Sequence, residues 1–469
     1  IPSSQTSELK WLYEDMDSRG STFEFSPYPT TPQIRISLKE CMNSSCQEVE
    51  VFIDASHLEV TKSGREDVSS IRVEVKKPNT KLKKPSQNWS MQSEYSQGRC
   101  DPNGVDSLDS PPMNTDEVTF INPMGSFGGD HITPVDHMYV NYEPNTSHDV
   151  LAMANGHIVH VGHTGKDHRV IIEYSCDLYS IYIHVHEMAD AIEAQLEWLP
   201  GDDPKSKGRS YPRVPVQSGM VIGHQTRDQS FDLSVVDTRV TLSGFVNLES
   251  YRGEFWKYHC VDPYDYWKGS FRQELLDKTI IVNENYPGGK IDYDVDGKLI
   301  GNWFEKGSGG YAGTRTDSNI HGSSGHLAIV YSALVPNKTV IHFGSFQDKG
   351  SRRFFVNDNA PDPANVGTSS GLVKYELWAP YQGPDRSGAC CDTGFIVANT
   401  GERWFGDTYP EGGLIVTLYD QPSSIALVEM LDDQTIRIET FDTWDSKLKR
   451  RITLDEISGF TDKFRIYQR

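Results

Sequence analysis

Apolar and polar residues alternate with a period of two along much of the chain. Ile34, Ile36 and Leu38 form one such run, Val49, Val51 and Ile53 a second, and Ile71, Val73 and Val75 a third. That period puts each set on one face of a half-buried strand. These runs, separated by turn-rich segments, predict an N-terminal β-sandwich-like domain. It ends in a polar linker, Gln97 to Asp116, that carries Pro102, Gly104, Pro111 and Pro112. Helical spacing is convincing at one place only: Met188, Ile192, Leu196 and Leu199 predict a helix that Pro200-Gly201 stops. Beyond residue 278 the pattern is again β. Ser324–Tyr331 and Thr339–Phe346 read as core strands, with His326 and His342 as strand residues sooner than ligands. GKLIGNWF (Gly297–Phe304) and TGERWFG (Thr400–Gly406) each place Trp-Phe after a glycine-containing turn. This echo fits either two similar β units or a single barrel. The fold class is therefore mainly β. Residues 1–117 are the sandwich-like domain and its linker, 118–278 a central antiparallel β domain with one helix, and 279–469 a C-terminal antiparallel sandwich or barrel.

A chain of 469 residues exceeds what one hydrophobic core supports, which agrees with this division. A net charge of -21 argues against nucleic acid as a partner. The one basic run, Lys76 to Lys84, is broken by Pro78 and reads as a solvated loop. No apolar stretch is long enough for a membrane helix. A sequence opening at Ile1 without Met fits removal of a secretion signal. Among seven cysteines, Cys41 and Cys46 flank a polar turn, and Cys390 and Cys391 are adjacent. Cys100, Cys176 and Cys260 are scattered, without zinc-ribbon spacing, so disulfides between distant segments are expected. Asn-x-Ser/Thr sequons occur at Asn43, Asn88, Asn145 and Asn337. Together these features predict a secreted or cell-surface glycoprotein. Its expected partners are cell-surface proteins or glycans, with self-association as a further expectation.

Nine of the fifteen histidines fall between His131 and His186, on strand-like segments. Imidazole is the commonest metal ligand and the usual general base near neutral pH. Tyr182, His184 and His186 alternate in strand fashion and are expected to project from one face.

An ordered series of segments resembles the lysostaphin-type zinc endopeptidases, which cut peptidoglycan cross-links. The series is LAMANGHIVHVG (Leu151–Gly162), RVIIEYSCDLYSIYIHVHEM (Arg169–Met188), VPVQSGMVIGHQ (Val214–Gln225), FDLSVVD (Phe231–Asp237) and VDPYDYW (Val261–Trp267). The resemblance covers about a third of the chain and implies a lysostaphin-type antiparallel fold for the central domain. It also implies zinc held by an early His-x-x-x-Asp pair and the second His of a late His-x-His. In GGDHITPVDHMYV the best matches are His131 and Asp136, five apart instead of four. The late strand places Ser234 at the ligand position and Asp232 where a histidine would assist the transition state. Loss of one of three protein ligands should cripple a catalytic zinc site. A relocated zinc site remains as the alternative, with His131 or His137, Asp136, His184 and His186 as ligands and His184, His186 and Asp232 as catalytic candidates. Otherwise these histidines line a metal-free cleft and hydrogen-bond one another or water.

IDYDVDGKLIG (Ile291–Gly301) begins like a calcium loop through Asp292, Asp294 and Asp296, but Trp303 stands where the bidentate glutamate belongs. A hairpin turning at Asp296-Gly297 is the competing expectation. No phosphate loop and no nucleophile elbow occurs. The aromatic residues are either a sugar-stacking platform or core. The function expected on balance is binding or surface assembly on a degenerate, non-catalytic peptidase-like domain, without a cofactor. The alternative is an altered-site zinc metallohydrolase, a peptidase or amidase.

Overall fold

The computed structural model describes residues 90–469, except 128–130, 145, 201–204, 228–229, 281–284, 312–321, 334–337, 358–359, 380–420 and 448. In the first 89 residues it describes the backbone of five strands. The sequons at Asn43, Asn88, Asn145 and Asn337, the Cys390-Cys391 pair and the second Trp-Phe motif lie outside the described residues.

The chain divides into two compact units at Lys81/Leu82. In the first, β1 (Thr22–Phe25), β2 (Gln33–Met42) and β3 (Ser45–Asp54) form an antiparallel sheet, and β4 (Leu58–Val60) pairs with β5 (Val73–Val75). The alternating runs at Ile34 and Val49 are β2 and β3, with Cys41 opposite Cys46 in their register.

The second unit begins with the stretch read as a linker, which is tied to the structure that follows it. A disulfide joins Cys100 to Cys176, the Leu108 amide donates to the Tyr266 carbonyl, and those of Asp109 and Ser110 donate to Met153. Next come β6 (Val118–Asn122), β7 (Met138–Tyr142), β8 (His148–Leu151), β9 (Gly156–His163), β10 (His168–Glu173), β11 (Leu178–Val185), β12 (Glu187–Met188), β13 (Gly208–Ser210), β14 (Val214–Val216), β15 (Val221–Gln225), β16 (Ser230–Asp237) and β17 (Cys260–Val261). The main sheet runs β13-β9-β10-β11-β16-β7-β6, with β14 also on β9 and β17 on β16; β12-β15-β8 form a smaller sheet. Ile158, Ile171, Ile181, Leu233 and Val235 are buried in the core of this sheet.

The predicted helix shrinks to one turn, α1 (Asp190–Glu193), without a side-chain cap. Tertiary contacts override its propensity. Met188 is claimed by β12, Trp198 packs on the rings of His163 and His168, and Leu199 bridges to Arg209. Two further short helices follow, α2 (Pro263–Tyr266) and α3 (Phe271–Asp277).

The C-terminal strands close a barrel. Its order is β18 (Gly301–Glu305), β19 (His326–Tyr331), β20 (Thr339–Phe343), β21 (Arg352–Val356), β22 (Val373–Trp378), β23 (Ser424–Asp432) and β24 (Thr435–Asp442), then β27 (Arg465–Gln468), which pairs back to β18. A short pair, β25 (Trp444–Asp445) and β26 (Arg450–Arg451), lies outside it. Trp303, Leu327, Ile341, Phe354, Tyr375 and Ile436 pack together in one buried cluster. Eight strands enclose a space that side chains can fill, and here most of the aromatics described are core.

Buried histidines set the expected response to acid. Burial lowers His160, His326 and His342 to about 3. Unfolded histidine titrates near 6.5, so between these values the unfolded chain holds the extra proton and stability falls as pH falls. Burial raises Asp262 and Asp294 to about 6, which gives the opposite sign between about 6 and the unfolded value of about 3.9. His131, lowered to about 4, joins the first group, so four histidines stand against two carboxyls and the unfolded chain holds the net excess of protons. Stability should therefore fall by about 1–3 kcal/mol per pH unit from about pH 6 to pH 5. Urea unfolding across this range checks it: His342→Gln should flatten the slope, and a profile that rises toward pH 5 would refute it.

Candidate functional site

The most concentrated chemistry lies where β7, β11 and β16 meet. Asp232 on β16 is opposite Tyr139 on β7 and Ile183 on β11. Cross-strand partners share a face, so a regular strand would send His184, the next residue, to the other face. The backbone of His184 is instead left-handed (φ 69°). Nearby, the β10–β11 register slips between His168 and Val170. This local break re-aims the His184 ring, whose Nε2 stands 3.5 Å from Asp232 Oδ2. A left-handed non-glycine residue stores strain, which persists where surroundings fix it. Here the His184 Nδ1 lies 2.8 Å from Asp167 Oδ2, and Thr164 Oγ1 donates to the other oxygen of that carboxylate.

From the other side, the segment before β7 presents His131, Asp136 and His137. His137 is 3 % exposed, with Nδ1 3.3 Å from Asp136 Oδ1 and Nε2 3.2 Å from Asp232 Oδ2. The second contact lies outside hydrogen-bonding geometry, leaving Nε2 without a hydrogen bond. The His131 ring packs edge-on against His137, centroids 5.2 Å apart. Lys257, wholly buried, donates from Nζ to the Pro134 carbonyl at 2.8 Å. Its Nζ also stands 3.9 Å from Asp136 Oδ1 and 4.7 Å from the centre of the Tyr311 ring. The result is a continuous chain of ionisable side chains: Lys257, Asp136, His137, Asp232, His184, Asp167.

The electrostatics follow from these neighbours. Burial raises Asp232, against the pull of His137 and His184. Burial also pushes Asp136 up, but Lys257 and the bond to His137 outweigh it and hold this carboxyl well below the usual range. Asp167 is lowered to about 2, because the bonds from His184 and Thr164 exceed its burial penalty. Burial and the neighbouring His137 lower His131 to about 4, against Asp136.

Of the sequence candidates, Asp136, His184 and Asp232 therefore share one chain, and His131 flanks it. His186 is separate: its Nδ1 accepts from the Thr226 and Arg227 amides at 2.9 and 3.2 Å. The expected shared face of Tyr182, His184 and His186 is broken by the left-handed turn, and the Tyr182 hydroxyl donates to the Leu151 carbonyl. Sequence reasoning missed Asp167 and Lys257. Neither sits in a motif, and only the fold brings them to the site. Ser234 is buried near the Cys260 thiol, which donates to the Trp256 carbonyl.

Two of the three calcium candidates are otherwise engaged, and Asp296 is exposed. Asp292 takes Lys290 Nζ and the Gly244 amide, and Asp294 takes the amides of Asn302 and Val246. Asp296-Gly297 does form a turn, but it leads into β18, which pairs with β19 and β27, so it closes no local hairpin. Among the described residues, no three His, Cys, Asp or Glu side chains are grouped, as they stand, to hold a metal ion. No described helix is long and apolar enough to cross a membrane. No protein-family model matches the chain, and no curated protein matches it.

Proposed function

We propose that this is a secreted or cell-surface protein that acts by binding or surface assembly, on a central domain that resembles a lysostaphin-type peptidase but does not hydrolyse peptidoglycan. The observation that carries this reading is the fate of the family's ligand positions. Ser234 stands at the late ligand position, buried near the Cys260 thiol. A serine hydroxyl is a poor zinc ligand. His137 and Asn141 have the four-residue spacing that the resemblance asks of its early pair. There the acidic ligand is replaced by an amide whose Nδ2 donates to the Phe120 and Tyr139 carbonyls at 3.2 and 3.0 Å. Both early registers thus lack the family's set: His131 and Asp136 have the wrong spacing, and His137 and Asn141 the wrong second residue. Zinc chemistry of the family's kind has no complete ligand set to act from.

The partners proposed are cell-surface proteins or glycans. The net charge of -21 disfavours nucleic acid. Cosedimentation of the full chain with purified cell-wall sacculi tests the binding half of this reading. Saturable pelleting with the wall left intact is expected. Solubilisation of the wall would overturn the reading.

One observation favours a second reading, an altered-site hydrolase. His184 has a side chain 46 % exposed, and its Nδ1 is fixed by Asp167. A histidine held this way and open to solvent is built like a general base.

A further inference from the structure

We propose that a cleft at the far end of the main sheet from the histidine and carboxylate chain binds a neutral oligosaccharide. The proposal rests on the binding function put forward above and names its site. The cleft has a volume of about 560 Å³, within the range of about 300–1,000 Å³ usual for small-ligand sites. One wall is the segment Asp101 to Val105, and the other is Gly156 and His157 at the start of β9 with Val216 of β14. His157 stands opposite Glu173 on β10, whereas His168, at the other end of that strand, stands opposite Val185, the neighbour of His184. Both walls are fixed. The Cys100–Cys176 disulfide pins the first, the Cys176 amide donates to the Asp101 carbonyl at 3.0 Å, and the Val105 amide donates to the Tyr174 carbonyl at 3.0 Å. The wholly buried Glu173 carboxylate accepts from the Asp101 amide at 3.2 Å and from Arg213 at 3.1 Å. Gly104 and Gly156 let the two walls press onto the backbone between them. A Cβ on Gly104 would lie 2.0 Å from the Tyr174 carbonyl oxygen, and one on Gly156 2.3 Å from that of Glu173. A cleft built in advance avoids much of the ordering cost of binding.

The lining names the ligand class. Asn103, Asn155 and Gln217 offer amides, each both donor and acceptor, and Asp101 offers a carboxylate. The Asn155 side-chain oxygen accepts the Ser218 amide at 2.9 Å, which fixes this side chain and leaves its NH2 to donate. Burial first, and Arg213 next, hold His157 below the usual histidine range, so at neutral pH its ring offers one donor and one acceptor. A sugar hydroxyl is donor and acceptor in one group and matches such a lining. Other ligands fit less well. Among the described residues no Lys or Arg lines the cleft, which disfavours phosphate and sulfate groups, and Asp101 repels them. Val105 and Val216 are its aliphatic side chains, too few to anchor a lipid chain. β9 already pairs with β10 on one side and with β13 and β14 on the other, so it offers no free edge to an extended peptide.

Titration calorimetry of the full chain against neutral tetrasaccharides of glucose, N-acetylglucosamine, mannose and galactose provides the test. Saturable binding of at least one of them is expected, at one site per chain. Asn103→Ala/Gln217→Ala should weaken it by about 10-fold, through the loss of two hydrogen bonds. Both side chains are exposed, so this variant should melt as the parent does. His224→Ala, at the surface pair with Asp149, should bind as the parent does. Absence of saturable binding across the set, binding unchanged in the double variant, or tighter binding of sulfated counterparts would overturn the proposal. Pelleting with sacculi separates the cleft from the broader function. Sacculi that pellet the double variant as fully as the parent would keep the binding function and remove the cleft as its site. Solubilisation of the wall would remove the binding function, while sugar binding weakened in the double variant would still support the cleft.

Discussion

Asp136→Ala should lower the free energy of unfolding by about 3–5 kcal/mol, the range for removing one partner of a buried ion pair. The reason lies with the partner left behind. The Lys257 ammonium is wholly buried, and among its neighbours Asp136 is the anion at 3.9 Å, alongside a carbonyl and an aromatic ring. Without Asp136 it is left with the Pro134 carbonyl, the Tyr311 ring and the Glu254 carboxyl, whose ionisation burial opposes, or it must give up its proton. The loss should be largely recovered in Asp136→Ala/Lys257→Met, because a buried pair replaced by apolar groups of similar size is often neutral. Chemical denaturation of the two variants checks both statements. A loss below about 1 kcal/mol in the single variant would mean that water reaches Lys257.

Removing the Cys100–Cys176 disulfide should cost a comparable amount. The bond spans 76 residues of chain. In chain-entropy terms a loop of that length is worth about 4.5 kcal/mol, within the usual range of about 2–5 for native disulfides. Cys100→Ser/Cys176→Ser should therefore melt well below the parent in the absence of reductant, and reductant should lower only the parent. Equal melting of the two would show that the hydrogen bonds from Leu108, Asp109 and Ser110 suffice to hold this segment. A disulfide also belongs to an oxidising compartment, which supports the secreted or surface location proposed here.

These two sites illustrate how the fold was legible in the chain and where legibility stopped. Period-two alternation marks β2 and β3, because one face of a strand must be apolar for the sheet to pack. The same logic located the core strands β19 and β20. The pattern at Met188 to Leu199 was equally regular, yet β12, the His163–His168–Trp198 cluster and the Leu199–Arg209 bridge took its residues one by one. Periodicity reports which residues seek burial, and not which neighbour buries them. The site shows the same limit. Asp136, His184 and Asp232 were recognisable as chemistry-bearing types at suggestive spacings. That His184 turns away from His186 depends on one left-handed residue, and no spacing signals it. Asp167 and Lys257 are distant in sequence from the groups they serve, so only tertiary structure joins them.

The central claim is that the ligand positions Ser234 and Asn141 leave no peptidoglycan hydrolase of the lysostaphin kind. The most direct test is mass spectrometry of soluble products after the full chain, supplied with Zn2+, is incubated with purified peptidoglycan and with a pentaglycine peptide. The account predicts no cleavage products above those of a buffer control. Cleavage by the parent protein that disappears in Asp136→Ala, with Asp136→Ala shown to be folded under the assay conditions, would contradict it.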